Sequence, residues 1–196
     1  MTKHRTLSTA RSWKVVVALL MTFFASAATM SAASAAGGRP DFSAQAAALG
    51  LDGTQAGNLQ DEADGYLARM GGTQVSADRI VLPGGRGELL LPLPGESRPR
   101  HAAAVGDERS LAGACPYTYV CAFSGPDFTG VEIRLYSCDT MTEIPWSGTG
   151  SWINNQRSAL HAKFYDVNRN LGWTSPGGYS EDRNAPWGWV WYLSPC

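Results

Sequence analysis

All four cysteines of this 196-residue chain, Cys115, Cys121, Cys138 and Cys196, lie beyond residue 114. An even count gathered into one stretch reads as a disulfide framework, which lets a small domain fold when its hydrophobic core alone would not suffice. Four cysteines permit three connectivities. The short interval between Cys115 and Cys121 favours a local loop, which leaves Cys138 and Cys196 as a clasp on the carboxyl terminus. Closing so long a loop is expected to stabilise the fold by ~4 kcal/mol on a chain-entropy argument. Zinc is the competing use of cysteine, but no two-residue spacing occurs and only His161 stands nearby.

Disulfides imply an oxidising compartment, and the amino terminus supplies the route. Lys3, His4, Arg5, Arg11 and Lys14 precede an apolar run from Val15 to Ala28, and Ala33-Ser34-Ala35 follows. That order predicts a signal peptide over residues 1–35 and a secreted, extracellular product. The apolar run falls short of the ~20 residues a spanning helix needs, so no membrane association is expected after cleavage. The whole chain has 16 Lys and Arg against 17 Asp and Glu. Residues 1–35 hold four of the cations, so the remainder carries 12 against 17, a net charge of −5. A chain of that sign has no electrostatic reason to bind nucleic acid, whose recognition rests on phosphate neutralisation.

Composition divides the rest. Residues 36–95 are rich in Ala, Leu and Gly, whereas residues 114–196 hold six of the seven tryptophans and six of the seven tyrosines. Residues 96–113, charged and Pro-interrupted without apolar periodicity, read as a linker. In the first part Leu59, Ala63, Tyr66, Leu67 and Met70 form one helical face, with Asp52 and Gln55 as a capping box and Gly71-Gly72 as the stop. Strands are expected at 73–76, 79–82 and 88–91. The first part is therefore read as a small α+β unit (a helix plus short strands), an accessory module or pro-segment. The second part alternates short β-branched and aromatic runs, at 120–123, 131–136, 160–165 and 189–193, with Gly-Pro and Gly-Gly turns. Many short strands without a long helix predict an all-β sandwich.

Two segments share a spacing, Phe123 to Gly130 and Tyr165 to Gly172, in which an aromatic ring can fold over a turn that ends in glycine. Asn154-Asn155-x-x-Ser158 lies 35 residues beyond Phe123 when counted to its serine. Together these resemble the βγ-crystallin Greek-key pattern. With Cys115-Pro116, Cys121-x-Phe123, Tyr136-Ser137-Cys138, Trp146, Ser151-Trp152-Ile153-Asn154-Asn155 and Pro195-Cys196 added, residues 114–196 resemble the secreted actinobacterial peptidase-inhibitor family of the streptomycete metalloproteinase inhibitor type. The resemblance implies a βγ-crystallin-like Greek-key sandwich, an extracellular protease as partner and inhibition through a rigid, disulfide-anchored loop. No motif marks the inhibitory loop; the turns at 124–129 and 141–151 are the candidates. The alternative is a calcium-binding or cell-surface-binding crystallin-type module without inhibitory activity.

The crystallin resemblance also nominates Asn154, Asn155 and Ser158 as calcium ligands. Amides and a hydroxyl without carboxylates would hold calcium weakly, since ligand charge sets affinity. The competing role for the same residues is to brace turns, with Ser158 holding the hairpin over Phe123. No required cofactor is expected. Catalysis is not expected either: metalloprotease, serine-hydrolase and P-loop motifs are all missing, and His161 beside Asp166 and Ser158 is better explained as a structural histidine. Alternation along Trp187-Gly188-Trp189-Val190-Trp191-Tyr192 would place the three tryptophans on one face, either as core or as a binding surface.

Overall fold

The structure, a computed structural model, describes residues 41–100 and 115–196. The signal peptide read at 1–35 and the larger part of the linker read at 96–113 lie outside the described residues. No helix among the described residues is long and apolar enough to cross a membrane.

The chain begins with helices α1 (Ser43–Ala48) and α2 (Gly53–Met70). At the start of α2 the Asp52 carboxylate accepts the Gln55 N–H at 2.8 Å, and the Gln55 side chain accepts the Asp52 N–H at 3.0 Å. This reciprocal cap satisfies two of the orphan donors of a helix start. Gly71, at φ 68°, ends the helix in a conformation open to glycine. Leu59 and Ala63 are buried, and Tyr66, Leu67 and Met70 pack at the margin of the core.

Eleven strands follow among the described residues: β1 (Thr73–Ser76), β2 (Arg79–Val81), β3 (Gly87–Leu90), β4 (Tyr119–Phe123), β5 (Glu132–Leu135), β6 (Thr142–Glu143), β7 (Thr149–Asn155), β8 (Lys163–Tyr165), β9 (Leu171–Thr174), β10 (Ser180–Pro186) and β11 (Tyr192–Ser194). They form two antiparallel sheets. One runs β1-β2-β3-β5-β4-β7-β10, the other β6-β11-β8-β9. From β4 onward each set of four consecutive strands sends its third member to the opposite sheet. Thus β6 leaves β4, β5 and β7, and β10 leaves β8, β9 and β11. The exchange ties the two sets together, because each sheet takes one edge strand from the other set.

Register lines up one transverse row across the large sheet: Gln74, Ile80, Leu89, Ile133, Ala122, Trp152 and Asp182. Residues directly opposite in antiparallel strands share a face. The apolar members of this row all belong to one core, which also takes in Phe164, Trp187 and Leu193.

The chain is not divided where composition changes. Strand β3 pairs with β5 through Gly87↔Leu135, Glu88↔Arg134, Leu89↔Ile133 and Leu90↔Glu132. Leu89, Leu91 and Leu93 are buried in the same core as Val120 and Ile133. Without β3, strand β5 would present a row of unpaired backbone groups, which sheets avoid. Nor are residues 96–100 free of the fold: Ser97 O accepts the Gly130 N–H at 2.8 Å, and Arg98 Nη2 donates to Asp127 O at 2.7 Å.

The tryptophan alternation also fails. A turn of 3-10 helix at Trp187–Trp189 breaks the extended run, so Trp187 is 1% exposed while Trp189 and Trp191 are 38% and 43% exposed. Trp187 Nε1 donates to Phe123 O at 2.8 Å, which settles its polar atom inside the core. The close approach needs Gly150, where a Cβ would lie 1.8 Å from that nitrogen.

Candidate functional site

Disulfides join Cys115 to Cys121 and Cys138 to Cys196, with Cα separations of 5.7 and 4.9 Å. The first closes a small loop at the entrance to β4. Both of its sulfurs are buried against Phe123, Phe128 and Ile153, a second apolar cluster on the outer face of the large sheet. Asn155 holds the loop from behind: its Nδ2 donates to Cys115 O at 2.8 Å, and its carbonyl accepts the Thr118 N–H at 2.8 Å. Thr118 has φ 79°, an uncommon conformation for a β-branched residue that sharpens the turn. Tyr117 projects from the tip, 63% exposed. Anchored at both ends and braced in the middle, this loop is a preformed display of one aromatic side chain.

The hairpin between β4 and β5 lies over Phe123, which is buried and meets Phe128 at 5.5 Å between ring centroids. Three residues of the turn are left-handed, Asp127 at φ 53°, Phe128 at 61° and Gly130 at 79°. The serine that holds this hairpin is Ser151. Its hydroxyl accepts the Phe128 N–H at 2.8 Å and donates to Gly125 O at 2.7 Å. Ser158, to which the sequence reading gives this role, is exposed. Spacing misleads because Ser151 sits directly opposite Phe123 on β7, and strand register, rather than distance along the chain, decides which serine arrives.

The second spacing keeps its residues but not its geometry. Tyr165 pairs with Tyr192 and Leu171. The left-handed position of its turn belongs to Arg169 at φ 63°. Gly172 instead makes room for a ring, since a Cβ there would lie 2.4 Å from Trp189.

Asn154 and Asn155, nominated with Ser158 for calcium, both carry structural hydrogen bonds. Asn154 is fully buried; its Nδ2 donates to Leu160 O at 2.9 Å, and its Oδ1 accepts from Gln156 Nε2 at 3.0 Å. Asn154 Oδ1 thus serves Gln156, Asn155 Nδ2 serves Cys115 O, and amide and hydroxyl oxygens without a carboxylate are weak ligands for calcium. Among the described residues no cluster of three or more His, Cys, Asp or Glu could hold a metal ion. The Nδ1 of His161 lies 2.9 Å from Ser175 O, and Asp166 accepts from Asn170 N at 2.8 Å and Nδ2 at 3.0 Å, so these two serve local turns.

One strongly perturbed acid lies elsewhere. Glu132 on β5 is fully buried, and burial pushes its carboxyl up to about 7 although Arg134 Nε donates to it at 2.7 Å. Arg134 also reaches Glu88 of β3 at 3.6 Å, and Glu88 meets Arg79 of β2 at 3.3 Å. The charges line the seam where the amino-terminal strands join the sheet.

The two turns nominated from sequence differ in availability. In the first, Arg98 binds Asp127 O and only Pro126 and Asp127 are exposed at the tip. The second is held by α2: Arg69 donates to Glu143 Oε1 and Pro145 O, both at 2.7 Å, and Trp146 Nε1 donates to Tyr66 Oη at 2.9 Å. The disulfide loop, which neither cysteine spacing nor turn signals single out for recognition, is a third exposed turn, with Tyr117 and Thr118 at its tip.

The described residues thus form a disulfide-stapled, two-sheet β fold with a braced loop that exposes Tyr117. Residues 108–172 match peptidase inhibitor family I36, the family that the cysteine and aromatic skeleton resembles. A family of this kind points to a non-enzymatic inhibitor. No curated protein and no solved structure matches the chain.

Proposed function

We propose that this protein is a secreted peptidase inhibitor whose target is an extracellular protease, and that the Cys115–Cys121 loop is the part that enters the protease cleft. The observation that carries the reading is that this loop falls within the I36 match and presents Tyr117 at 63% exposure on a disulfide-closed, Asn155-braced turn. A loop fixed before binding loses little conformational entropy on association, so its contacts convert efficiently into affinity. Large aromatic side chains in such positions commonly dominate binding energy.

The strand exchange between sheets, the positive φ of Gly130 and the Ser151 brace support a βγ-crystallin-like Greek-key sandwich for residues 114–196. In this reading residues 36–95 are an accessory segment that supports the inhibitor, since β3 covers the edge of β5 and α2 pins the turn at 143–146. The test is inhibition of a panel of secreted metallo- and serine proteases by the purified protein. Stoichiometric inhibition lost on Tyr117→Ala supports the proposal; absence of inhibition across the panel overturns it.

A further inference from the structure

The transverse row of the large sheet ends at both edges in a polar residue on the core-facing side. At one edge Gln74 is buried and exchanges hydrogen bonds with Gln60 at 2.8 and 3.1 Å, so its polarity is accounted for. At the other edge stands Asp182, opposite Trp152. Its Oδ1 accepts the Asn184 N–H at 2.9 Å, and no ion pair with it is present among the described residues. A carboxylate on the inward face of a strand, where an apolar residue would serve the fold, marks a local conflict of the kind found at functional sites.

Asp182 opens into a cleft of about 330 Å³, in the size range of small-molecule sites. Its walls are Trp152, Trp173, Trp187 and Trp189 with Phe164, and no Lys, Arg or His lines it. Neighbouring Arg183 turns elsewhere, with its guanidinium over the Phe128 ring at 4.6 Å and bonded to Glu181. The wall rings pack on one another, Trp173 inclined to Trp152 by 55° and to Phe164 by 56°, with Phe164 stacked on Trp187 at 21°. Of the five rings only Trp173 and Trp189 are exposed, at 41% and 38%, so these two and Asp182 are what an occupant would meet. Negative ring faces and one uncompensated carboxylate together favour positive charge.

We propose that this cleft is a binding site for an organic ammonium group, an aromatic cage closed on one side by Asp182. The cage goes beyond the inhibitor reading and shares no residue with the Cys115–Cys121 loop. The same chemistry could come from a small choline-type molecule or from a lysine side chain of a protein partner.

Calorimetric titration of the purified protein with choline and with N-acetyl-lysine methylamide tests the site and separates the two sources. Binding of either in the millimolar range or tighter is expected, with the tighter of the two naming the source. The uncharged carbon isostere of choline should bind at least about tenfold more weakly, and Asp182→Asn and Trp189→Ala should each weaken the cation by a similar factor. Asp182→Asn preserves shape, and an unchanged thermal midpoint shows that it folds. No binding of either cation, equal binding of the neutral isostere, undiminished binding by a folded Asp182→Asn, or preferential binding of a neutral monosaccharide would each overturn the proposal. None of these outcomes depends on protease inhibition, so the two readings fail separately.

Discussion

The hydroxyl of Ser151 accepts the backbone N–H of Phe128 at 2.8 Å and, by donating to Gly125 O, ties the middle of the β4–β5 hairpin to β7. Phe128 is fully buried, so its N–H has no water to turn to. Ser151→Ala should therefore cost about 2–3 kcal/mol, the toll of two lost hydrogen bonds plus one orphaned buried donor. Ser158→Ala, at an exposed position, should change stability by no more than about 0.5 kcal/mol. Urea unfolding of both variants measures the contrast.

Glu132 makes stability depend on pH. Its carboxyl is raised from 4.5 to about 7, chiefly by burial, against the opposing pull of Arg134. Between those values the folded chain holds a proton that the unfolded chain has released. Stability is thus fully present below the unfolded value and is lost as pH rises through the folded one. A shift of this size corresponds to at most about 3 kcal/mol. Urea midpoints across this range should fall with rising pH in the natural chain, and Glu132→Gln should flatten that slope.

The two disulfides should differ in worth. Cys138–Cys196 spans 58 residues and Cys115–Cys121 spans six. By chain entropy, removing the long clasp through paired Cys→Ser changes should cost ~4 kcal/mol, and removing the short one ~2 kcal/mol. The short bridge should nevertheless matter more for inhibition, because it fixes the Tyr117 loop. Denaturant midpoints and inhibition constants of the two double variants separate the effects.

Calcium should leave the protein unchanged. With Asn154 Oδ1 serving Gln156 and no cluster of acidic residues among the described residues, the thermal midpoint should be the same with millimolar calcium and with chelator. Asn154→Ala should still destabilise by about 2–3 kcal/mol, since Leu160 O and Gln156 would lose a buried partner. A calcium-dependent rise in the midpoint would restore a metal role to this region.

What can be read from the sequence follows from what is local. Helix α2 is legible because its cap lies three residues from Asp52 and its apolar face repeats within single turns. Strands β4 and β5 announce themselves through β-branched and aromatic runs. Strand β10, rich in charge, carries no apolar strand signal, because it lies at a sheet edge where polar residues are tolerated. Ser151 and the β3–β5 pairing escape notice for a different reason. Both are fixed by register between segments far apart in the chain, which no local pattern encodes. The aromatic cleft is hidden likewise, since period-two reasoning over Trp187–Tyr192 cannot foresee the 3-10 turn that buries Trp187 and exposes Trp189.

The most direct test of the account is the inhibition constant of the purified protein and of Tyr117→Ala against a protease that the natural chain inhibits. Stoichiometric inhibition by the natural chain, weakened roughly thirtyfold or more by the substitution as for a central aromatic contact, is the predicted result. Equal inhibition by Tyr117→Ala would contradict the loop assignment, and no inhibition of any protease in a broad secreted panel would contradict the function itself.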